Sequence, residues 1–180
     1  MNDGEIIQQV LAGDINDFGR LVEKYQKPVV GLIYNMTRDH HLSEDLGQEV
    51  FVEAYRSLMA FDPARGRFST WLYRITRNKT LNALKKMQPL LLPEVPETPH
   101  HRNPGHDAAT GEFHAELDRI LDRLPVKLRL VFVWAEIEGL SGEEIAEIEG
   151  VPVGTVKSRL NRAKQQLQAA LRKQKVTPYE

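Results

Sequence analysis

The sequence predicts an all-α protein of two small helical domains joined by a Pro-rich linker. Three observations carry this. Apolar residues recur at helical spacing along most of the chain outside residues 88–112. Within that stretch fall five of the ten prolines, and no helical period survives there. The net charge of −1 hides a division: residues 65–88 carry seven basic residues and no acidic one, and residues 150–180 carry seven basic and one acidic. Two concentrated basic segments in a neutral chain suggest two contacts with a polyanion, the alternative being two solvated faces. The boundaries read as a first domain over 1–87, a linker over 88–112 and a second domain over 113–175.

Composition narrows the class further. The apolar fraction of 41% permits real cores, and the absence of cysteine removes disulfides and cysteine metal sites. No apolar run approaches the ~18 residues of a membrane span. The N-terminus is acidic and unlike a signal peptide, so a cytoplasmic protein is the default expectation.

Asp3 to Ala12 reads as a short helix ended by Gly13, and Asp14 can cap a longer one. That second helix has Phe18, Leu21, Val22, Tyr25, Val29, Leu32, Ile33 and Met36 at helical spacing, and Pro28 within it predicts a kink or a break. A third helix starts after His41 with Ser43 as its cap. Leu46, Val50, Phe51, Ala54, Tyr55 and Leu58 form its apolar stripe, while Asp45, Gln48, Glu49 and Val52 point elsewhere. Such an acidic face is ordinarily just solvated; alternatively it docks a partner. Gly47 is a poor helix former, accounted for only by close packing.

A loop from Phe61 to Arg67 precedes a fourth helix with Ser69 as its cap. Phe68, Trp71, Leu72 and Ile75 share one face and read as core. Arg74, Arg77 and Lys85 lie opposite, flanked by Tyr73 and Asn78; Lys79 falls near the apolar face, which the pattern does not explain. Aromatics interleaved with bases suit single-stranded nucleic acid, because rings stack on exposed bases and cations follow the backbone. In the linker, His100, His101 and His106 read as exposed loop histidines rather than metal ligands. A flexible linker of this length averages roughly 25–30 Å end to end.

Phe113 to Arg123 reads as a helix, and Pro125 suits the first position of another, whose Leu128, Val131, Phe132 and Ala135 build a core before Gly139 ends it. Then come two helices joined by a tight turn. Ser141 can cap the first, with Glu143 and Glu144 in its opening turn; Gly150 closes it, and Val151-Pro152 forces an extended link. Val153, Val156, Leu160, Ala163 and Leu167 line one face of the second, while Lys157, Ser158, Asn161, Arg162 and Gln165 line the other. That is a helix-turn-helix layout, whose second helix needs cations for phosphates and amides for base edges. The bland alternative is an amphipathic surface helix. The tail after Gln174 reads as frayed.

Three stretches then resemble one family: LSEDLGQEVFVEAY (42–55), FSTWLYRITRN (68–78) and EGLSGEEIAEIEGVPVGTVKSRLNRAK (138–164). In this order, around a Pro-rich linker, they resemble the compact extracytoplasmic-function (ECF) sigma factors of the sigma-70 family, the promoter-specificity subunits of bacterial RNA polymerase. The resemblance implies that the two domains are sigma region 2 and sigma region 4. It implies that Asp45, Gln48, Glu49 and Phe51 dock on the clamp helices of the polymerase beta-prime subunit. It further implies that the loop from Asp62 to Arg67, with Arg65 and Arg67, captures a base flipped from the −10 element. Tyr73, Arg74, Arg77 and Asn78 then belong to a helix that holds the melted −10 strand. Thr155 and Arg159 would mainly hold phosphates of the −35 duplex, with Lys157, Ser158, Asn161 and Arg162 toward base edges. Implied partners are core RNA polymerase, promoter DNA and, as is common in the family, an anti-sigma factor. No cofactor, metal or catalytic group is implied. The rival within DNA binding is a stand-alone helix-turn-helix regulator.

Overall fold

The computed structural model describes residues 2–87, 119, 121 and 123–174, and among these the regular secondary structure is entirely helical. Helix α1 (Asp3–Leu11) opens with a capping box: Asn2 Oδ1 accepts from the Glu5 amide and the Glu5 carboxylate accepts from the Asn2 amide, both at 2.9 Å. Gly13, at φ 111°, turns the chain into a single 3-10 turn over Ile15–Asp17, capped by Asp14. Helix α2 (Phe18–Thr37) then runs unbroken through Pro28, so of the expected kink or break the break does not occur. Tyr25, Val29, Leu32 and Ile33 are all buried around that proline, and their packing outweighs the one missing amide bond. Arg38 ends α2 in the left-handed region at φ 58°, its guanidinium 5.2 Å over the Tyr34 ring.

Helix α3 (His40–Arg56) starts earlier than expected and has a different cap. Asp39 accepts from the Leu42 amide at 3.0 Å, whereas Ser43 is fully buried inside the helix and donates to the Asp39 carbonyl at 2.5 Å. An aspartate four residues upstream offers a stronger acceptor than the serine. Gly47 faces α2 so closely that an added Cβ would stand 2.9 Å from Val30 Cγ2. This confirms the close-packing account of that glycine. We expect Gly47→Ala to destabilise the fold by about 1 kcal/mol, because overpacking against a stiff β-branched chain (roughly 1–3 kcal/mol) exceeds the helix-propensity gain. Urea unfolding checks this; a more stable variant would show that α2 and α3 can move apart at little cost.

Helix α4 (Phe68–Met87) begins one residue ahead of the expected Ser69 cap, and the Trp71 amide reaches the Arg67 carbonyl at 3.2 Å. Its buried threonines satisfy themselves: Thr76 donates to the Leu72 carbonyl at 2.9 Å and Thr80 to the Thr76 carbonyl at 2.8 Å. Lys79, unexplained by periodicity, pairs with Glu49 of α3 at 3.1 Å.

The helix expected over 113–123 falls mostly outside the described residues, as do the linker and the tail. Helix α5 (Val126–Phe132) follows Pro125 and continues as a π-helical stretch, Val133–Ile137, before Gly139 turns the chain at φ 65°. Helix α6 (Gly142–Glu149) has Ser141 as its cap, as expected, with Glu144 completing a capping box, and ends on Gly150 at φ 66°. Helix α7 (Val153–Gln174) follows Pro152.

Helices α2, α3 and α4 pack on one another, α5 and α6 pack on α7, and the halves meet where α6 lies on α4 and α5 reaches α2. One apolar cluster runs from Leu21, Ile33, Val50 and Leu72 into Trp134, Ile145, Ile148 and Val156 without a break. A smaller cluster of Leu121, Leu124, Val133, Ala163 and Leu167 holds α5 against α7.

Candidate nucleic-acid interface

Helix α7 presents the face its sequence pattern implies. Val156, Ala163 and Leu167 are buried, which turns Lys157, Ser158, Asn161 and Arg162 fully outward. Thr155 and Arg159 sit at the border, half-buried. Ser158 donates to the Thr155 carbonyl at 2.9 Å. The Arg159 guanidinium donates to Glu149 at 2.9 Å and is only 20% exposed.

The second cationic surface is built by α4 and the loop before it. Arg65, Arg67, Arg74 and Asn78 are exposed and Arg77 is half-buried. Tyr73 turns inward, buried, with its hydroxyl donating to Glu138 at 2.8 Å. Burial, with the Glu138 carboxylate beside it, pushes that phenol well above its ordinary value. The α4 cations are not left facing solvent alone. Arg67 lies 3.4 Å from Glu144, Arg74 3.5 Å from Glu147 and Arg77 2.6 Å from Glu149, all on α6. Thr70 also donates to Glu144 at 3.2 Å. Burial pushes the Glu144 carboxyl up, but Ser141, Arg67 and Thr70 together hold it below the usual carboxylate range.

The loop before α4 borders an open cleft of ≈ 440 Å³ that rests on the buried rings of Tyr25 and Phe68, with half-buried Phe61, Arg67, Ser69 and the start of α1 around it. The rings brace one another: Phe61 and Phe68 meet edge-on at 5.6 Å, and Tyr25 lies 5.6 Å from Phe68. Asp3 ties α1 to this wall, accepting from the Tyr25 hydroxyl at 2.5 Å and from Lys24 at 2.6 Å. Burial, reinforced by Asp3, pushes the Tyr25 phenol far up, so it stays a neutral donor. The contribution of α1 to this cleft is not visible in the sequence, since nothing local marks Asp3 as a partner of Tyr25.

On α3, Asp45, Gln48 and Glu49 are exposed and share a groove with Val52, Glu53, Arg56 and Lys79. Phe51 does not belong to that surface; it is 7% exposed and packs in the core, as its place in the apolar stripe requires. No group of three or more potential metal ligands comes together among the described residues, and the linker histidines lie outside them.

A helix-turn-helix whose second helix is cationic and outward, paired with a second cationic helix beside an aromatic cleft, defines a bipartite DNA-binding protein. Comparison with known proteins narrows this. Residues 21–89 match the family model of sigma-70 region 2, and residues 114–167 match that of sigma-70 region 4. The chain is 36% identical over 178 residues to the ECF RNA polymerase sigma factor SigW of Bacillus subtilis, covering 92% of this chain and 95% of that one. It is 34% identical to the ECF RNA polymerase sigma-E factor of Escherichia coli K12, covering 92% of each. Among solved structures, CnrH in complex with the cytosolic domain of CnrY superposes with a TM-score of 0.70 at 27% identity, over 94% of this chain and 96% of that one. The sigma factor RpoE in complex with the anti-sigma factor NepR from Bartonella quintana shares the fold, with a TM-score of 0.67 at 23% identity over 90% and 99%. The chain belongs to the ECF sigma factors of the sigma-70 family.

Proposed function

We propose that this chain binds core RNA polymerase and directs it to promoters by two separate DNA contacts. The observation that carries the reading is the pairing of two differently built cationic helices in one chain. Helix α7 presents amides and cations suited to duplex base edges, and α4 borders an aromatic cleft suited to an unstacked base. Residues 1–87 then act as region 2 and residues 113–175 as region 4, with residues 88–112 as the tether between them.

The roles follow from the chemistry of each surface. Lys157, Ser158, Asn161 and Arg162 meet base edges of the −35 duplex, while Thr155 and Arg159 hold its phosphates. Arg65, Arg67, Arg74, Arg77 and Asn78 hold the −10 strand, and the cleft beside Phe61 takes a base flipped from it. Tyr73 reaches that strand only once its contact with Glu138 is released. Opening a duplex without a nucleotide-driven motor requires trapping the separated strand, which offsets a few kcal/mol per unstacked step. None of this asks for a bond-making group, so we read the chain as a non-catalytic initiation subunit, acting in the cytoplasm. No helix among the described residues is long and apolar enough to cross a membrane.

Asp45, Gln48 and Glu49, exposed on one ridge of α3, form the surface we assign to the polymerase clamp helices. Phe51 supports that ridge from the core rather than touching the partner. An anti-sigma factor is a further proposed partner, as the resemblance implies; the structural relative CnrH is seen in complex with the cytosolic domain of CnrY. Reconstitution with core polymerase tests the reading: start-site-specific transcription is expected only when the chain is added. Tight, specific duplex binding without polymerase would favour a stand-alone regulator instead. Charge reversal at Asp45 and Glu49 should weaken assembly with core polymerase roughly tenfold or more, a scale set by charge pairs at interfaces. Fluorescence titration checks this, and unchanged assembly would remove the ridge from the interface.

A further inference from the structure

We propose that Lys79 is a built-in counter-charge in the polymerase-docking groove: held by α4 against Glu49 of α3, it weakens the pull of the groove on a cationic partner and so sets the strength of assembly. The partner this groove fits is a helical surface that brings a basic side chain to Glu49 and an aliphatic one to Val52. This rests on the docking role assigned to Asp45, Gln48 and Glu49.

Lys79 is the residue of α4 whose place the helical pattern does not explain. Its neighbour in charge, Arg74, pairs with Glu147 of α6, whereas Lys79 reaches the other way, its Nζ 3.1 Å from Glu49 Oε2 on α3. The two side chains are covered unequally: 28% of Lys79 is exposed, against 60% of Glu49. The ammonium is therefore held in place by a largely covered stem, while the carboxylate stays open to a docking partner. A lysine on a free stem would swing aside when a second cation arrived. A covered stem leaves Lys79 little room to do so.

The charge balance of the groove shows what the lysine does there. Asp45, Glu49 and Glu53 line it against Arg56 and Lys79, with Gln48 and Val52 among them. Three acids against two bases leave a net charge of −1, and loss of the lysine charge alone doubles it to −2. A basic side chain arriving at Glu49 meets an ammonium 3.1 Å from its target. That lies well inside the ~8 Å over which physiological salt screens, so the repulsion is felt. Val52, 49% exposed, is the apolar seat in this charged lining. The opposite role, a lysine that fixes Glu49 in the pose its partner needs, would help docking rather than hinder it, so the two roles differ in sign.

Lys79→Met keeps the stem and removes the charge; Lys79→Gln removes the charge but keeps a donor toward Glu49. Both full-length variants should bind core RNA polymerase about threefold tighter than the wild-type chain in fluorescence titration at low salt, mostly through faster association. The gain should fade as salt rises toward about 0.5 M. Lys79→Arg, which keeps the charge, should bind as the wild-type chain does. Should Lys79→Met unfold early in urea, Lys79→Gln carries the test. Weaker binding by Lys79→Met with Lys79→Gln unchanged would make the lysine a positioning group for Glu49 and overturn the proposal. Unchanged binding by both, weaker binding by both, or a gain that persists in full at high salt would overturn it too. Charge reversal at Asp45 and Glu49 is the separate readout. If that reversal leaves assembly intact, the docking role itself has failed; if it weakens assembly while the Lys79 variants match the wild-type chain, only the counter-charge has.

Discussion

Replacing Lys157 and Arg162 together by alanine is expected to abolish promoter choice by the polymerase–chain complex, with a loss of roughly 100-fold or more on its preferred −35 sequence. Each is exposed on the outer face of α7, and a good base-edge contact is worth ~1–3 kcal/mol, so two contacts that add give ~2–6 kcal/mol, which passes a hundredfold over most of that range. The fold should be unaffected, because both side chains leave the buried stripe of Val156, Ala163 and Leu167 intact. The measurement is competition between a promoter selected from a random library and the same DNA with its −35 bases scrambled. Loss of preference between the two, with residual salt-sensitive binding to both, is the expected result. A retained preference would show that α7 is a surface helix and that selection lies elsewhere. Arg159→Ala serves as the contrast: assigned to phosphates rather than base edges, it should weaken binding to both DNAs alike.

Much of the fold could be read from the sequence because its signals are local. The Ser141 cap, Gly150 and Pro152 fix the helix-turn-helix within a dozen residues, and the structure reproduces each of them. The misplaced caps are instructive. Ser43 and Ser69 are good N-cap residues by type, yet Asp39 offers a better acceptor upstream of one, and α4 starts at Phe68 ahead of the other. Pro28 did not break α2 because tertiary burial on both sides outweighed a local preference. What the sequence could not show is what α4 faces. Arg67, Arg74 and Arg77 meet their carboxylates across more than seventy positions of chain, and no periodicity reports such a distance. One trace was present: acids ending a helix with no base in its last turn are a local misfit, and such misfits point to a partner elsewhere. Phe51 shows the opposite error, where a residue belonging to the apolar stripe was also given a surface role by the resemblance.

Arg74→Ala combined with Arg77→Ala is expected to reduce strand opening more than tenfold, as read by permanganate reactivity of thymines in the −10 region, while duplex binding changes less than threefold. The reasoning turns on what each arginine does in the two states. In the free chain they pair with Glu147 and Glu149, so their removal loosens the contact between α4 and α6. In the open complex they would hold the phosphates of the displaced strand, a contact that the cleft beside Phe61 cannot replace. Breaking the Arg77–Glu149 pair from the two sides should therefore have opposite effects on single-strand retention. Glu149→Gln frees a cation and raises it; Arg77→Ala removes the cation and lowers it. A purely structural ion pair would give the same sign from both sides, because either substitution removes the same contact between α4 and α6. Equal losses in the two variants would reduce Arg77 to a packing residue, and normal permanganate reactivity in the double alanine variant would move strand capture away from α4.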